Sequence, residues 1–206
     1  MKEQLLPGEV SDRRKICVVH GLGGIGKTQL VIEYAILHQA KYTAFFWLNG
    51  KTEESLIQSL MLLAARLPKG QIADVNAGKV KGLEESRQKA QKVLQWFALK
   101  GNNQWLLVYD NIDKTSWGED ENFDQNAWAS STYDISQYFP RCEAGSIIIT
   151  SRLLRLRDLG REVALGRPDV IDSLLILEKH AGRSLKQAGS DTNSIANSDI
   201  NRWDKG

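Results

Sequence analysis

The stretch "GLGGIGKT" crowds Gly21, Gly23, Gly24 and Gly26 between an apolar run and a segment with helical spacing. Glycine in regular structure costs about 0.5 to 1 kcal/mol of extra conformational entropy, so such a cluster marks a backbone that bends tightly or approaches something closely. Gly21, Gly26, Lys27 and Thr28 satisfy the spacing GxxxxGK[ST], the phosphate loop, whose successive N–H groups turn inward to cradle an anion. In such a loop the Lys27 ammonium reaches the β- and γ-phosphates and the Thr28 hydroxyl ligates Mg²⁺. Gly23, Gly24, Ile25 and Gln29 complete the stretch that would wrap the phosphates. Two further residues could take part. Asp110 closes the apolar run "WLLVYD" and is the natural second anchor for the metal, and Arg152 closes "IIITSR", where a guanidinium could tell a triphosphate from a diphosphate.

These residues need strands to carry them to one place and helices to hold the strands. "KICVVH" before the loop reads as a strand, and "TQLVIEYAILHQ" after it as a helix carrying Leu30, Val31, Tyr34, Ala35 and Leu37 at helical spacing. "YTAFFWLNG" is a second strand; Thr52 caps a second helix with Leu56, Ile57, Leu60, Met61, Leu63 and Ala64. A third helix runs from about Leu83 to Leu99, with Leu83, Ala90, Val93, Leu94 and Phe97 on one face. The "QWLLVYD" strand follows, then a polar, periodless loop over 111–131, a short helix in "YDISQYFP", the buried strand "AGSIIITSR" and a weak fifth strand, "REVALG". Pro168 and Asp169 open a last helix that is expected to turn Val170, Ile171, Leu174, Leu175 and Leu177 inward, with Gly182 ending it. Strands alternating with helices imply α/β architecture, a parallel sheet covered on both faces with ligands outside the carboxyl ends of its strands.

Composition narrows the partners. The 206 residues suit one α/β domain, and 27 basic against 25 acidic side chains, a formal net charge of +2, leave no electrostatic footprint for nucleic acid. Cys17 and Cys142 fit neither a metal spacing nor a disulfide framework, and His20, His38 and His180 show no mutual spacing suited to a metal or a nucleophile. No stretch has the length of a signal peptide or a membrane span, so the expected location is cytoplasmic, with no membrane contact.

Taken in order, "VVHGLGGIGKTQLVIEY", "FFWLNG", "WLLVYDNID", "GSIIITSR" and "VALGRPDVIDSLLILEKHAG" resemble the nucleotide-binding domain of NB-ARC proteins. These are STAND-type P-loop ATPases that include plant resistance proteins and apoptotic adaptors, and the diction is nearest to their fungal, NOD-like receptor branch. The resemblance covers about 13–182, between a lead-in over 1–12 and a polar, loosely ordered tail over 183–206. It implies a P-loop NTPase three-layer sandwich with a mainly parallel five-stranded sheet of order 2-3-4-1-5. It further implies ATP or ADP with Mg²⁺ as ligands, Asp110 as the Walker B acid and Arg152 as the sensor. A signalling role is implied too, in innate immunity among other settings, with flanking effector and repeat domains or protein partners. The family's downstream GLP-type motif, winged helix and histidine-bearing motif are absent, which reads as a truncated product, a fragment or a stand-alone module. Where the family commonly has a second acid after the Walker B aspartate this chain has Asn111, whose amide can position a water and cannot take its proton. Asp113 is the one nearby substitute.

The leading expectation is therefore an ATP/ADP-binding switch with at most weak ATPase activity. The alternative is a small-molecule P-loop kinase or phosphotransferase, for which Arg155, Arg157 and Arg161 would supply a basic lid; a third is a fragment acting by association with full-length relatives. A GTPase fits least, since no [NT]KxD segment follows the sensor strand.

Overall fold

Alternation along the strands decides which side of the sheet each residue faces. In β1 (Lys15–Gly21) Val18 faces one way and Cys17 and Val19 the other; in β3 (Trp105–Asp110) Leu107 and Tyr109 oppose Leu106 and Val108. In β4 (Ser146–Ser151) Ile147 and Ile149 oppose Ile148. All of these are fully buried, as a parallel sheet with both faces covered demands. The structure, a computed structural model, describes residues 5–6, 13–68, 70–71, 82–117 and 132–182; the 183–206 tail and most of the 111–131 loop lie outside them.

With β2 (Ala44–Asn49) and β5 (Arg161–Leu165) the strands form one five-stranded sheet of order β2-β3-β4-β1-β5, and every pairing in it is parallel. This is the α/β sheet and strand order that the sequence leads one to expect. On one face α1 (Lys27–His38) contributes Val31 and Tyr34 to a core with Cys17, Val19, Leu106, Val108 and Ile148. The other face is covered by α2 (Glu53–Ala64) and α3 (Leu83–Trp96), through residues such as Leu56, Leu60, Val93 and Leu94. Edge-to-face aromatic contacts, Phe46 on Phe97 and Phe97 on Trp105 with centroids 5.5 and 5.0 Å apart, close that core at the amino ends of β2 and β3. Thr52 caps α2 as its type and position suggest: its hydroxyl accepts from the Ser55 N–H while the Ser55 hydroxyl accepts from the Thr52 N–H.

Several details differ from the periodicity. Leu30 and Leu37 are exposed although they share the helical spacing of Val31 and Tyr34, because α1 touches the sheet along a narrow stripe. Leu83 is exposed at the first turn of α3, and that helix ends at Trp96, after which Phe97 turns into the aromatic core. The short helix in "YDISQYFP" is a single three-ten turn, Ile135–Tyr138. Leu5, inside the expected lead-in, is fully buried, and its carbonyl accepts hydrogen bonds from the Tyr42 and Ser146 hydroxyls at 2.9 and 2.7 Å.

The chain divides into two compact units, the second beginning at Arg167. Its helix α4 (Val170–Ala181) starts where expected, the Asp169 carboxylate accepting from the Asp172 N–H at 2.7 Å, and ends at the left-handed Gly182. The inward face expected of it is not found: Val170, Ile171, Leu174, Leu175 and Leu177 are all exposed. Apolar spacing encodes a face, and a face does not name what covers it.

The parallel register decides where the candidate residues meet. Asn49 pairs with Asp110, Tyr109 with Ile149, Val19 with Thr150 and Gly21 with Leu165, so the carboxyl ends of all five strands lie along one edge.

Candidate phosphate-binding site

At that edge β1 ends on Gly21 with φ 152°, and a Cβ there would stand 2.5 Å from the Leu165 carbonyl oxygen. Only glycine lets the loop leave the sheet so close to β5. Gly26, left-handed with φ 96°, precedes α1 and gives it no side-chain cap. The N–H groups of Gly26, Lys27 and Thr28 accordingly hydrogen-bond no other described residue. Unpaired donors at the positive end of a helix dipole make a seat for an anion. Lys27 Nζ donates to the Gly21 and Leu22 carbonyls at 2.9 and 2.8 Å. Its burial, aided by Arg152, holds the ammonium below the ordinary lysine value against the opposing pull of Asp113 and Asp110. A phosphate oxygen offers this cation a charged acceptor in place of two neutral ones.

Asp110 stands at the end of β3 facing the loop. Its Oδ1 accepts from the Thr28 hydroxyl at 3.0 Å and from the Thr150 hydroxyl at 2.5 Å. Thr150, 1% exposed on β4, also accepts from the Asn111 N–H at 2.9 Å, and its carbonyl accepts from the Ile112 N–H. Asn111 is the non-glycine residue of positive φ among those described, at 66°, a conformation asparagine tolerates better than most. The chain thus turns sharply off β3 while remaining tied to β4.

Arg152, exposed, follows β4, and Asp113, largely buried, holds it on two sides. The Arg152 N–H donates to Asp113 Oδ1 at 2.7 Å and Nε to Oδ2 at 2.6 Å. The guanidinium then lies over the loop, for a Cβ on Gly23 would stand 3.7 Å from Arg152 Cδ and 3.8 Å from Nη1.

The result is an open cleft of about 500 Å³ whose walls include Gly23, Gly24, Gly26, Lys27, Thr28 and Gln29 from the loop and Asp110, Asn111 and Arg152 from the strand ends. Of the residues the motif singles out, Gly21 and Ile25 do not line it; Ile25 turns back so that its N–H points to the Leu22 carbonyl at 3.4 Å. Sequence spacing alone did not reveal two participants. Thr150 reads in the sequence only as part of the strand that ends at Arg152, and Asp113 only as a nearby substitute for the missing second acid, because the roles found here arise from partners on other strands. A larger cleft, about 630 Å³, lies beside Glu53, Arg87 and Tyr138, but those side chains already satisfy one another.

The remaining candidates fall elsewhere. Arg155 is committed to the Trp117 and Thr115 carbonyls at 2.8 and 2.6 Å, and Arg157 sits beside Asp158. Cys17 and Cys142 are free thiols, the first pushed up to about 11 by burial. His20 pairs with Glu162 across β1 and β5 at 2.5 Å. Among the described residues there is no group of His, Cys, Asp and Glu side chains that could cage a metal ion, and no helix is long and apolar enough to cross a membrane.

Sheet order, loop and strand-end residues together match the fold of a P-loop NTPase. No family model matches the chain. Over 153 residues it is 23% identical to a "Nucleotide-binding leucine-rich repeat (NLR)-like protein" of Hyaloscypha variabilis, a match covering 72% of this chain and 14% of that protein's length. The fold is similar to that of Cdc6p from Pyrobaculum aerophilum, with a TM-score of 0.52 at 12% identity, over 84% of this chain and 45% of that one.

Proposed function

We propose that this chain is an ATP/ADP-binding switch module of the NB-ARC, NOD-like receptor type, acting in the cytoplasm, with slow ATP hydrolysis at most. The observation that carries this reading is the convergence, at one sheet edge, of unpaired loop N–H groups, Lys27, the Thr28 and Asp110 oxygens, and Arg152. The N–H groups of Gly26, Lys27 and Thr28 would bind the β-phosphate, with the Lys27 ammonium bridging toward the γ-phosphate. The Thr28 hydroxyl and the Asp110 carboxylate stand side by side as hard oxygen donors open to the cleft, a set that suits Mg²⁺ when phosphates supply further ligands. That ion, when bound, would neutralise charge on the β- and γ-oxygens. Arg152 leans over Gly23, where an added phosphate would give its Nη groups an acceptor.

Asn111 supports slow turnover, since lacking a general base typically costs about 10²- to 10⁴-fold in rate. Asp113 does not fill the gap: both its oxygens are engaged by Arg152. The kinase alternative has less to rest on, because Arg155 is spent on backbone carbonyls rather than on the cleft. The name of the Hyaloscypha protein supports a receptor setting, and the small share of it that is matched supports partners or flanking effector and repeat regions.

The test is a calorimetric titration of ATP, ADP and GTP, with and without Mg²⁺, against the chain and its Lys27→Ala variant. Adenine nucleotides should bind, and Lys27→Ala should weaken ATP severely with thermal stability unchanged, since the ammonium is not part of the core. Equal ATP affinity in the two proteins would remove the basis for the nucleotide reading.

A further inference from the structure

We infer that Asp113 is a positioning residue that sets the preference for triphosphate over diphosphate by holding Arg152 in the orientation a γ-phosphate requires; this deepens the proposed ATP/ADP reading and rests on it. A long arginine side chain that is 61% exposed would ordinarily sample many rotamers. Asp113 removes that freedom at both ends. Its Oδ1 takes the Arg152 backbone N–H and lies 3.3 Å from the Ser151 hydroxyl oxygen, while its Oδ2 takes Nε. The pairing uses only the Nε side of the guanidinium. Neither Nη group hydrogen-bonds another described residue, and Nη1 hangs beside Gly23 at the lip of the phosphate loop. The arginine is therefore anchored without being consumed. Asp113 itself is anchored too: the Ser151 hydroxyl, which touches its Oδ1, donates to the Ile112 carbonyl, fixing the short segment from Asn111 to Asp113 against the end of β4.

Asp113→Asn separates the two jobs of this carboxylate. The amide oxygen still accepts from the Arg152 N–H, so the local backbone is kept, but an NH₂ group now faces Nε, donor against donor, and Arg152 is released. A guanidinium that must be ordered at the moment of binding should cost about three- to tenfold in ATP affinity relative to ADP, because ADP has no γ-phosphate to meet it, whereas loss of the Asp113 charge near Lys27 acts on both nucleotides. Calorimetry on the full chain and on Asp113→Asn, Arg152→Ala and the double variant, each with ATP and ADP in Mg²⁺, measures the ATP:ADP affinity ratio for a double-mutant cycle. The inference requires that Asp113→Asn lower the ratio, that Arg152→Ala lower it further, and that Asp113→Asn change nothing once Arg152 is alanine. A change that persists in the Arg152→Ala background would make Asp113 a direct electrostatic or structural influence and overturn the inference. So would an unchanged ratio, or one that shifts toward ATP, in Asp113→Asn alone. A second arm needs no nucleotide: the Arg152 Nε–H resonance, identified by its loss in Arg152→Lys, should be protected from exchange in the unmodified chain and lose that protection in Asp113→Asn. An unprotected resonance in the unmodified chain overturns the anchoring. A chain that binds neither nucleotide overturns the ATP/ADP reading and this inference with it, whereas normal binding with an unmoved ratio overturns the inference alone.

Discussion

Replacing Thr150 by valine keeps the shape of a side chain that is 1% exposed and removes one hydroxyl that serves two neighbours. The Asn111 N–H loses its acceptor at 2.9 Å, and the Asp110 carboxylate loses its shorter donor, at 2.5 Å. Orphaning a partly buried N–H costs about 1 to 3 kcal/mol, and a hydrogen bond to a charged acceptor contributes about 1.5 to 3 kcal/mol. Asp110 retains the Thr28 hydroxyl and access to water, so the sum falls toward the lower end of its range, about 2.5 to 4 kcal/mol. Against a domain stability of about 5 to 15 kcal/mol this is a large loss, readable as a lower urea midpoint with an unchanged slope. Thr150→Ser is the control: it keeps both hydrogen bonds and loses one methyl, at about 1 kcal/mol. A valine variant within about 0.5 kcal/mol of the unmodified chain, or a serine variant as unstable as the valine one, would refute the bridging role of this hydroxyl.

Further outcomes are expected. Asn111→Asp places a proton acceptor at a left-handed position that aspartate also tolerates, so phosphate release from ATP should rise by about tenfold or more, whereas an unchanged rate would show that this side chain is not turned toward the γ-phosphate. Arg87→Ala should cost about 1 to 2 kcal/mol at neutral pH, because Arg87 donates to both Glu53 oxygens at 2.8 and 2.6 Å on a partly exposed surface. The Arg87 hydrogen bonds, opposed by burial and aided by the Tyr138 hydroxyl, hold the Glu53 carboxyl below its ordinary 4.5. A depressed carboxylate stabilises the fold above its unfolded value and loses that contribution as pH falls through the folded one. Equilibrium unfolding of the two proteins should thus converge as pH drops below 4.5, and a gap that stays constant would exclude the ion pair as its source.

What could be read from the sequence was whatever a short stretch encodes by itself. The loop was legible because its glycines satisfy backbone geometry within eight residues of each other, and α2 because Thr52 is a local cap, its reciprocal bond with Ser55 emerging only in the structure. The sheet was legible because burial on both faces forces continuous apolar runs such as "IIIT". Thr150 and Asp113 were not legible as site residues, since Thr150 acts on Asp110 and Asn111 of another strand end, and Asp113 on Arg152 beyond the following strand. The apolar residues of α4 mark the opposite failure: the pattern promised a buried face and the side chains are exposed.

The position of β4 between β1 and β3 has a consequence for how the protein comes into being. Residues of the first strand, Lys15 to His20, pair with Ser146 to Ser151 on one side and, from Cys17 onward, with the still later Arg161 to Leu165 on the other, while β3 leans on β4 from its far side. Until β4 has been synthesised and inserted, β1 and β3 have no common partner, and the loop lacks the strand that brings Asp110 within reach of Thr28. Contacts so distant along the chain form late and slowly, because loop closure must be met before they contribute. Nucleotide affinity would then appear all at once, as a signature of completed folding, and a nascent chain released before Ser151 would hold an intact phosphate-loop sequence with no site to put it in.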